Sequence, residues 1–307
     1  MRAMAVAAMM ALLAGGAEAG KEPGVTEQLD TALNAGNVDA AAALFSDDAA
    51  VTDPFGGAAQ GTEQVRSWLT GLVTRKFHAD SGVRQDTGDG SVRWVSSIAD
   101  DRLRALKIAP LEATGIATVR GGKIVSFTPR LSAASQLKLR DAVIAANKAV
   151  ARELIEQGFG ANGDAVVDRL VAPDYQDHDP FPNQPGTREG LKGGMASLRE
   201  AFPDLTATVE DAVAEGDRVA ARFVLKGTNT GLFMGRTATG KAVAFEALHV
   251  FRIADGKIAE AWGVADRAGL REQLEPATER GVPPLPSSTA AQPTGPPPAV
   301  PAKKPVR

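Results

Sequence analysis

The chain contains three histidines and one tyrosine, so few residues are available for proton chemistry near neutral pH. His178 and Tyr175 both lie in Y-Q-D-H-D-P, residues 175–180. An imidazole between two aspartates is a candidate proton carrier, and the phenol a candidate donor. Pro180 biases Asp179 toward extended backbone. A polar turn is the alternative reading of the segment. His249 lies in V-A-F-E-A-L-H-V-F-R-I, where strand alternation groups it with Val243, Phe245, Ala247, Phe251 and Ile253. One polar group on an apolar face is either a satisfied core histidine or a base tuned by low dielectric. Asp266 ends the segment W-G-V-A-D, sharing parity with Ile258, Trp262 and Val264. Glu260 joins that face unless a bulge intervenes. For Asp266 the alternative is a cap on the next turn.

These residues must be positioned by surrounding elements. Between 143 and 154, Val143, Ala146, Val150 and Leu154 recur at helical spacing, and no glycine or proline interrupts residues 131–156. A short helix is expected near 164–171, and another carrying Leu191, Met195, Leu198 and Phe202. The period then changes to two: Val219, Ala221, Phe223 and Leu225 alternate with more polar positions. Glu215-Gly216-Asp217 and Asp255-Gly256 supply hairpin turns. Helices followed by an antiparallel sheet give an α+β domain.

The pattern occurs twice. Asp53-Pro54-Phe55 and Asp179-Pro180-Phe181 lie 126 residues apart; L-E-A-T-G-I-A-T-V-R-G-G-K-I (111–124) and F-E-A-L-H-V-F-R-I-A-D-G-K-I (245–258) lie 134 apart. Two anchors in one order indicate a duplicated domain. His178 then corresponds to Thr52, His249 to Gly115 and Asp266 to Ser132, whereas Asp179 keeps Asp53 and Glu246 keeps Glu112. Residues kept in both copies read as structural. Those confined to the second copy read as chemical.

Residues 140–275 resemble the SnoaL-like polyketide cyclase and ester cyclase group of the NTF2-like superfamily. The similarity runs through His178-Asp179-Pro180, P-G-T-R-E-G (185–190), A-F-P-D-L (201–205), E-G-D-R-V-A (215–220), G-T-N-T-G-L-F-M-G (227–235) and D-G-K-I-A-E-A-W-G-V-A-D (255–266). Residues 24–135 resemble the superfamily more loosely. The resemblance implies two tandem NTF2-like cones, each with helices packed on a curved antiparallel sheet around an apolar pocket. It also implies a general acid/base at the end of a W-x-x-x-D strand, which places Asp266 in that role. Asn229 stands where the family often has histidine.

Other features bound the reading. Residues 1–19 combine Arg2, an apolar run and Ala17-Glu18-Ala19, which reads as a cleavable signal peptide, with a mobile or core-docked N-terminal helix as the alternative. Secretion or a periplasmic location follows. Residues 276–307 read as a proline-rich disordered tail. There is no cysteine, and the net charge is −3 with its acidic excess in the body, which disfavours nucleic acid as partner. G-F-G-A-N-G (158–163) follows a charged helical pattern instead of a strand and reads as a loop. No cofactor and no metal site is expected, and no segment is suited to span a membrane.

The expectation is an exported, cofactor-independent cyclase or isomerase acting on a small carbonyl-containing molecule. Asp266 is the general acid/base, His249 its partner and His178 the enolate stabiliser, with Tyr175, Phe223, Phe245, Trp262 and Asn229 contacting ligand. A non-catalytic module binding a small apolar molecule is the alternative, and a scaffold with paired sheets the third reading. Internal pairing of the copies or a homodimer is compatible with each.

Overall fold

A computed structural model describes residues 24–275. The signal sequence and the tail expected at the two ends lie outside the described residues. The chain divides into two compact units, one with residues up to Val150 plus Ala214–Val219, the other with Ala151–Val213 and the chain from Ala220 on.

The first unit opens with α1 (Val25–Asn34) and α2 (Val38–Ala42), then β1 (Phe45–Thr52), β2 (Ala58–Gln60) and α3 (Gly61–Thr74). The strands β3 (His78–Ser81), β4 (Gln85–Asp86) and β5 (Ser91–Ala99) follow, then α4 (Asp101–Ala105), β6 (Leu111–Arg120), β7 (Lys123–Phe127) and β8 (Arg130–Leu131). The sheet runs β2-β1-β7-β6-β5-β3, with β4 beside β5 and β8 beside β6. Helix α3 buries Val65, Leu69 and Leu72, spaced four and three apart, as an amphipathic helix must. These meet Leu29 and Leu33 of α1 and Trp94 and Ile124 of the sheet in one core. Each such side chain contributes about 1.5–3 kcal/mol on burial.

The uninterrupted stretch after β8 forms one helix, α5 (Ala133–Gly158). Gly158 ends it and Gly163 begins α6 (Gly163–Leu170), so G-F-G-A-N-G is a link between helices. Next come β9 (Val171–Asp177), α7 (Arg188–Ala201), β10 (Thr206–Glu215), β11 (Arg218–Thr228), β12 (Ala242–Ala254), β13 (Lys257–Ala265) and α8 (Arg267–Leu274). The sheet order is β10-β11-β12-β13-β9. Asp255 and Gly256 both take positive φ, 49° and 73°, and so make the tight turn between β12 and β13. Among the described residues no helix is long and apolar enough to cross a membrane.

Two features depart from the sequence expectation. Each sheet contains a parallel pair, β1 with β7 and β9 with β13. The segment holding Tyr175 is therefore a strand, where a helix exit was expected. Second, a bulge interrupts β13: Arg252 pairs with Glu260 while Ile253 pairs with Ile258. The extra residue, Ala259, reverses side-chain parity along the strand. Ile258 faces the core, and beyond the bulge it is Ala261 that does so, at 2% exposure.

Candidate active site

Directly paired residues of an antiparallel ladder share a face. His249 pairs with Gly263 and Phe251 with Ala261. This is the inner, helix-covered face, where Phe223, Phe245, Ala247, Phe251 and Ala261 are all buried. The His249 ring meets Phe223 edge-on at 5.2 Å and lies 5.7 Å from the ring of Phe251. Apolar surroundings disfavour the imidazolium, and burial pushes His249 from 6.5 down to about 4. At neutral pH the ring is uncharged. A Cβ on Gly263 would lie 2.5 Å from both Cδ2 and Nε2 of His249, so only glycine leaves room for the ring.

The neighbouring strand supplies carboxylates. Asp177 of β9 pairs in register with Ala261, which places Tyr175 and Asp177 on the same inner face. Tyr175 is buried and its hydroxyl donates to Asp177. Burial raises the phenol pKa, and the Asp177 charge adds to the rise. Burial likewise raises the Asp177 pKa, partly countered by hydrogen bonds from the Asp179 N–H and the Tyr175 hydroxyl. The first of these spans 3.0 Å. Asp179 is exposed at the rim, and its Oδ2 accepts the N–H of Gly263 at 3.1 Å. Its negative charge opposes the effect of burial on His249. Carboxylate and imidazole thus converge on one glycine.

Several residues chosen from the sequence lie elsewhere. Asp266 is the N-cap of α8, its Oδ1 accepting the Gly269 N–H at 2.8 Å, and its own N–H goes to the Glu246 carbonyl. It is exposed and stands outside the His249 face, because the chain turns from β13 into the helix at this residue. Trp262 pairs with Val250 on the outer face, since the bulge has reversed its parity relative to Ile258. His178 is on that outer face too, stacked on Trp262 at 4.4 Å and 2°. Its Nε2 lies 2.9 Å from Oε2 of Glu260, whose Oε1 accepts from Arg252 at 2.6 Å. The hydrogen bond with His178, then that from Arg252, lowers the Glu260 pKa. His178 therefore does not join His249, and Trp262 does not line the inner face.

Asn229 is 1% exposed and fully engaged. Its amide nitrogen donates to the carbonyls of Ala201 and Gly231, and its oxygen accepts from the N–H and hydroxyl of Thr239. All four hydrogen-bonding capacities are used, so the side chain ties a loop to the end of α7 and has nothing left for a ligand. Phe223, Phe245 and Tyr175 do face the His249 side.

Asp177 and Asp179 were the site residues not chosen from the sequence. Their signal was present as Y-x-D-x-D, the one-face spacing of a strand. It was hidden by reading the segment as a turn, and by treating Asp179 as structural because Asp53 repeats it.

Residues 149–274 match the family described as SnoaL-like polyketide cyclase, and residues 25–127 match the SnoaL-like domain. Aklanonic acid methyl ester cyclase DnrD of Streptomyces peucetius is 31% identical over 103 residues, covering 33% of this chain and 69% of that protein. The chain belongs to the SnoaL-like polyketide cyclase family. A second such cyclase, AcmA of Streptomyces galilaeus, is 29% identical over 135 residues, covering 41% of this chain and 88% of its own. For DauD of Streptomyces sp. strain C5 the figures are 29% over 110 residues, 36% and 66%. Among solved structures, IdmH from Streptomyces antibioticus is 34% identical with a TM-score of 0.38, covering 42% of this chain and 97% of that one. TsrD from Streptomyces laurentii is 25% identical with a TM-score of 0.39, covering 42% and 95%. The two family matches and the two separate sheets make the chain a tandem of two SnoaL-like α+β domains.

Proposed function

We propose that the second domain is a cofactor-independent acid/base catalyst of the cyclase or isomerase type, acting on a small molecule with a carbon acid beside a carbonyl. The observation that carries this is the convergence of Asp179 and an uncharged His249 on Gly263. The Asp179 carboxylate takes the proton from the carbon acid. The His249 N–H donates to the oxygen on which enolate charge develops. A neutral imidazole serves there because it stabilises the oxyanion without having to be charged first in an apolar site. The enolate carbon then bonds to a second carbonyl of the same molecule. The resulting alkoxide recovers the proton from Asp179, so the carboxylate is regenerated. Buried Phe223 and Phe245 supply the apolar wall. The names of DnrD and AcmA, methyl ester cyclases, support ring closure on an ester-bearing substrate. The signal-like segment at residues 1–19 supports export.

The test is hydrogen exchange into a β-keto methyl ester in deuterated buffer. Exchange should be accelerated by the native chain, reduced on the order of a hundredfold in Asp179→Asn, and unchanged in Asp266→Asn. Acceleration that survives Asp179→Asn would sink the assignment.

A further inference from the structure

The aspartate that accepts the Gly263 N–H in the second domain has its counterpart, Asp53, in the wall of an apolar cleft in the first. That cleft is bounded by Asp53, Phe55, Trp68, Phe77, Trp94 and Phe127 and encloses about 50 Å³. Trp94 and Phe127 stack at 5.7 Å and 5°, and Trp68 meets Phe127 edge-on at 6.0 Å. The position of His249 is taken here by Gly115, which pairs with Trp94. The Trp94 indole fills the place of the missing side chain, 2.5 Å from where a Cβ would stand. No histidine lines the cleft. The first domain has therefore kept the carboxylate and exchanged the imidazole for an aromatic wall.

Asp53 is held for recognition. Its Oδ1 accepts the Phe55 N–H at 2.7 Å and its Oδ2 the Trp68 indole N–H at 3.0 Å. Each carboxylate oxygen has two acceptor sites, so each keeps one for a ligand. Arg84, whose guanidinium lies 4.5 Å over the Trp94 ring, is paired with Asp30. Its charge is thereby balanced and offers no attraction to an anion. A carboxylate between aromatic faces repels an anion and accepts from the O–H or N–H of a flat molecule. A cavity of about 150 Å³ holds a whole benzene ring, so this smaller cleft takes only the edge of a single ring and excludes a fused multi-ring skeleton.

We infer that the first domain carries a binding site for a single neutral aromatic ring bearing a hydrogen-bond donor, of the phenol type, recognised by Asp53 and the Trp68–Trp94–Phe127 wall. Binding there is independent of the chemistry proposed for the second domain.

The chain has three tryptophans, of which Trp68 and Trp94 bound this cleft and Trp262 belongs to the other domain. Their indole N–H resonances in the full chain report occupancy, with the Trp262 peak assigned by its loss in Trp262→Phe. Added p-cresol should shift the Trp68 and Trp94 peaks saturably and leave Trp262 unmoved. Toluene, which lacks the donor, should bind about tenfold more weakly, and Asp53→Asn should weaken p-cresol by about the same factor. Benzoate should leave the peaks in place. Absence of a saturable p-cresol shift would overturn the proposal, as would equal binding of toluene and p-cresol to the native chain. The ligand comparison uses the native protein, so the test stands even if Asp53→Asn fails to fold.

Discussion

The imidazole of His249 occupies the space that any side chain at Gly263 would need, with Cδ2 and Nε2 both 2.5 Å from the missing Cβ. Phe223 and Phe251 flank the ring, so it cannot yield toward either of them. Gly263→Ala is therefore expected to destabilise the second domain by about 1–3 kcal/mol through overpacking. It should also displace the ring and change its titration. Denaturant unfolding and the His249 ring-proton spectrum measure the two effects. An alanine variant with native stability and an unmoved His249 would show that the ring is not fixed by this contact.

Acid should weaken the fold through the same ring. Its folded-state pKa, about 4, lies below the ordinary 6.5. Between those values the unfolded chain binds a proton that the folded chain refuses, so stability rises with pH across the window. The stabilisation of the uncharged form is complete above 6.5 and is lost as pH falls toward 4, a change of about 3 kcal/mol. Asp177 has a raised pKa and contributes with the opposite sign. Comparing the native chain with His249→Leu at matched pH isolates the imidazole. The slope between pH 6.5 and 4 should be shallower in the variant; equal slopes would contradict the burial of an uncharged His249.

Asn229→Ala removes a side chain that closes four hydrogen bonds inside the protein. A loss of at least about 2 kcal/mol is expected, because backbone groups of Ala201, Gly231 and Thr239 are left without this partner. Exchange into the β-keto ester should persist under conditions where the variant remains folded. Loss of exchange in a folded variant would return Asn229 to the site.

The outer-face group makes the contrasting prediction. His178→Ala breaks the stack on Trp262 and the bond to Glu260. Glu260 should then titrate closer to an ordinary carboxylate, since the His178 hydrogen bond is the largest cause of its lowered pKa. Proton-exchange activity should be unaffected. Carbon-detected NMR of the Glu260 carboxyl checks the first statement and the exchange assay the second.

Much of this architecture was legible in the sequence because it is written in periodicity. The alternation from Val243 to Ile253 put His249 on an apolar face, and the two D-P-F anchors revealed the duplication. The site's second half was not legible for three physical reasons. A single-residue bulge at Ala259 reverses every side chain beyond it, so the parity that grouped Trp262 with Ile258 failed. The parallel pairing of β9 with β13 joins residues some 84 positions apart, and no local pattern announces it. Finally, Asp266 ends a strand and begins a helix, and its capping role depends on where the strand stops. Repetition of Asp53 and Asp179 was read as structural, yet both aspartates stand beside the residues that distinguish their domains.

The most direct test follows the ring protons of His78, His178 and His249 by NMR against pH in the native chain, Asp179→Asn and Asp266→Asn. The account predicts a His249 midpoint near 4. It should fall further in Asp179→Asn, because a negative charge that favours the imidazolium is removed, and stay fixed in Asp266→Asn. A midpoint that moves with Asp266 and ignores Asp179 would contradict the site described here and restore the pairing expected from sequence.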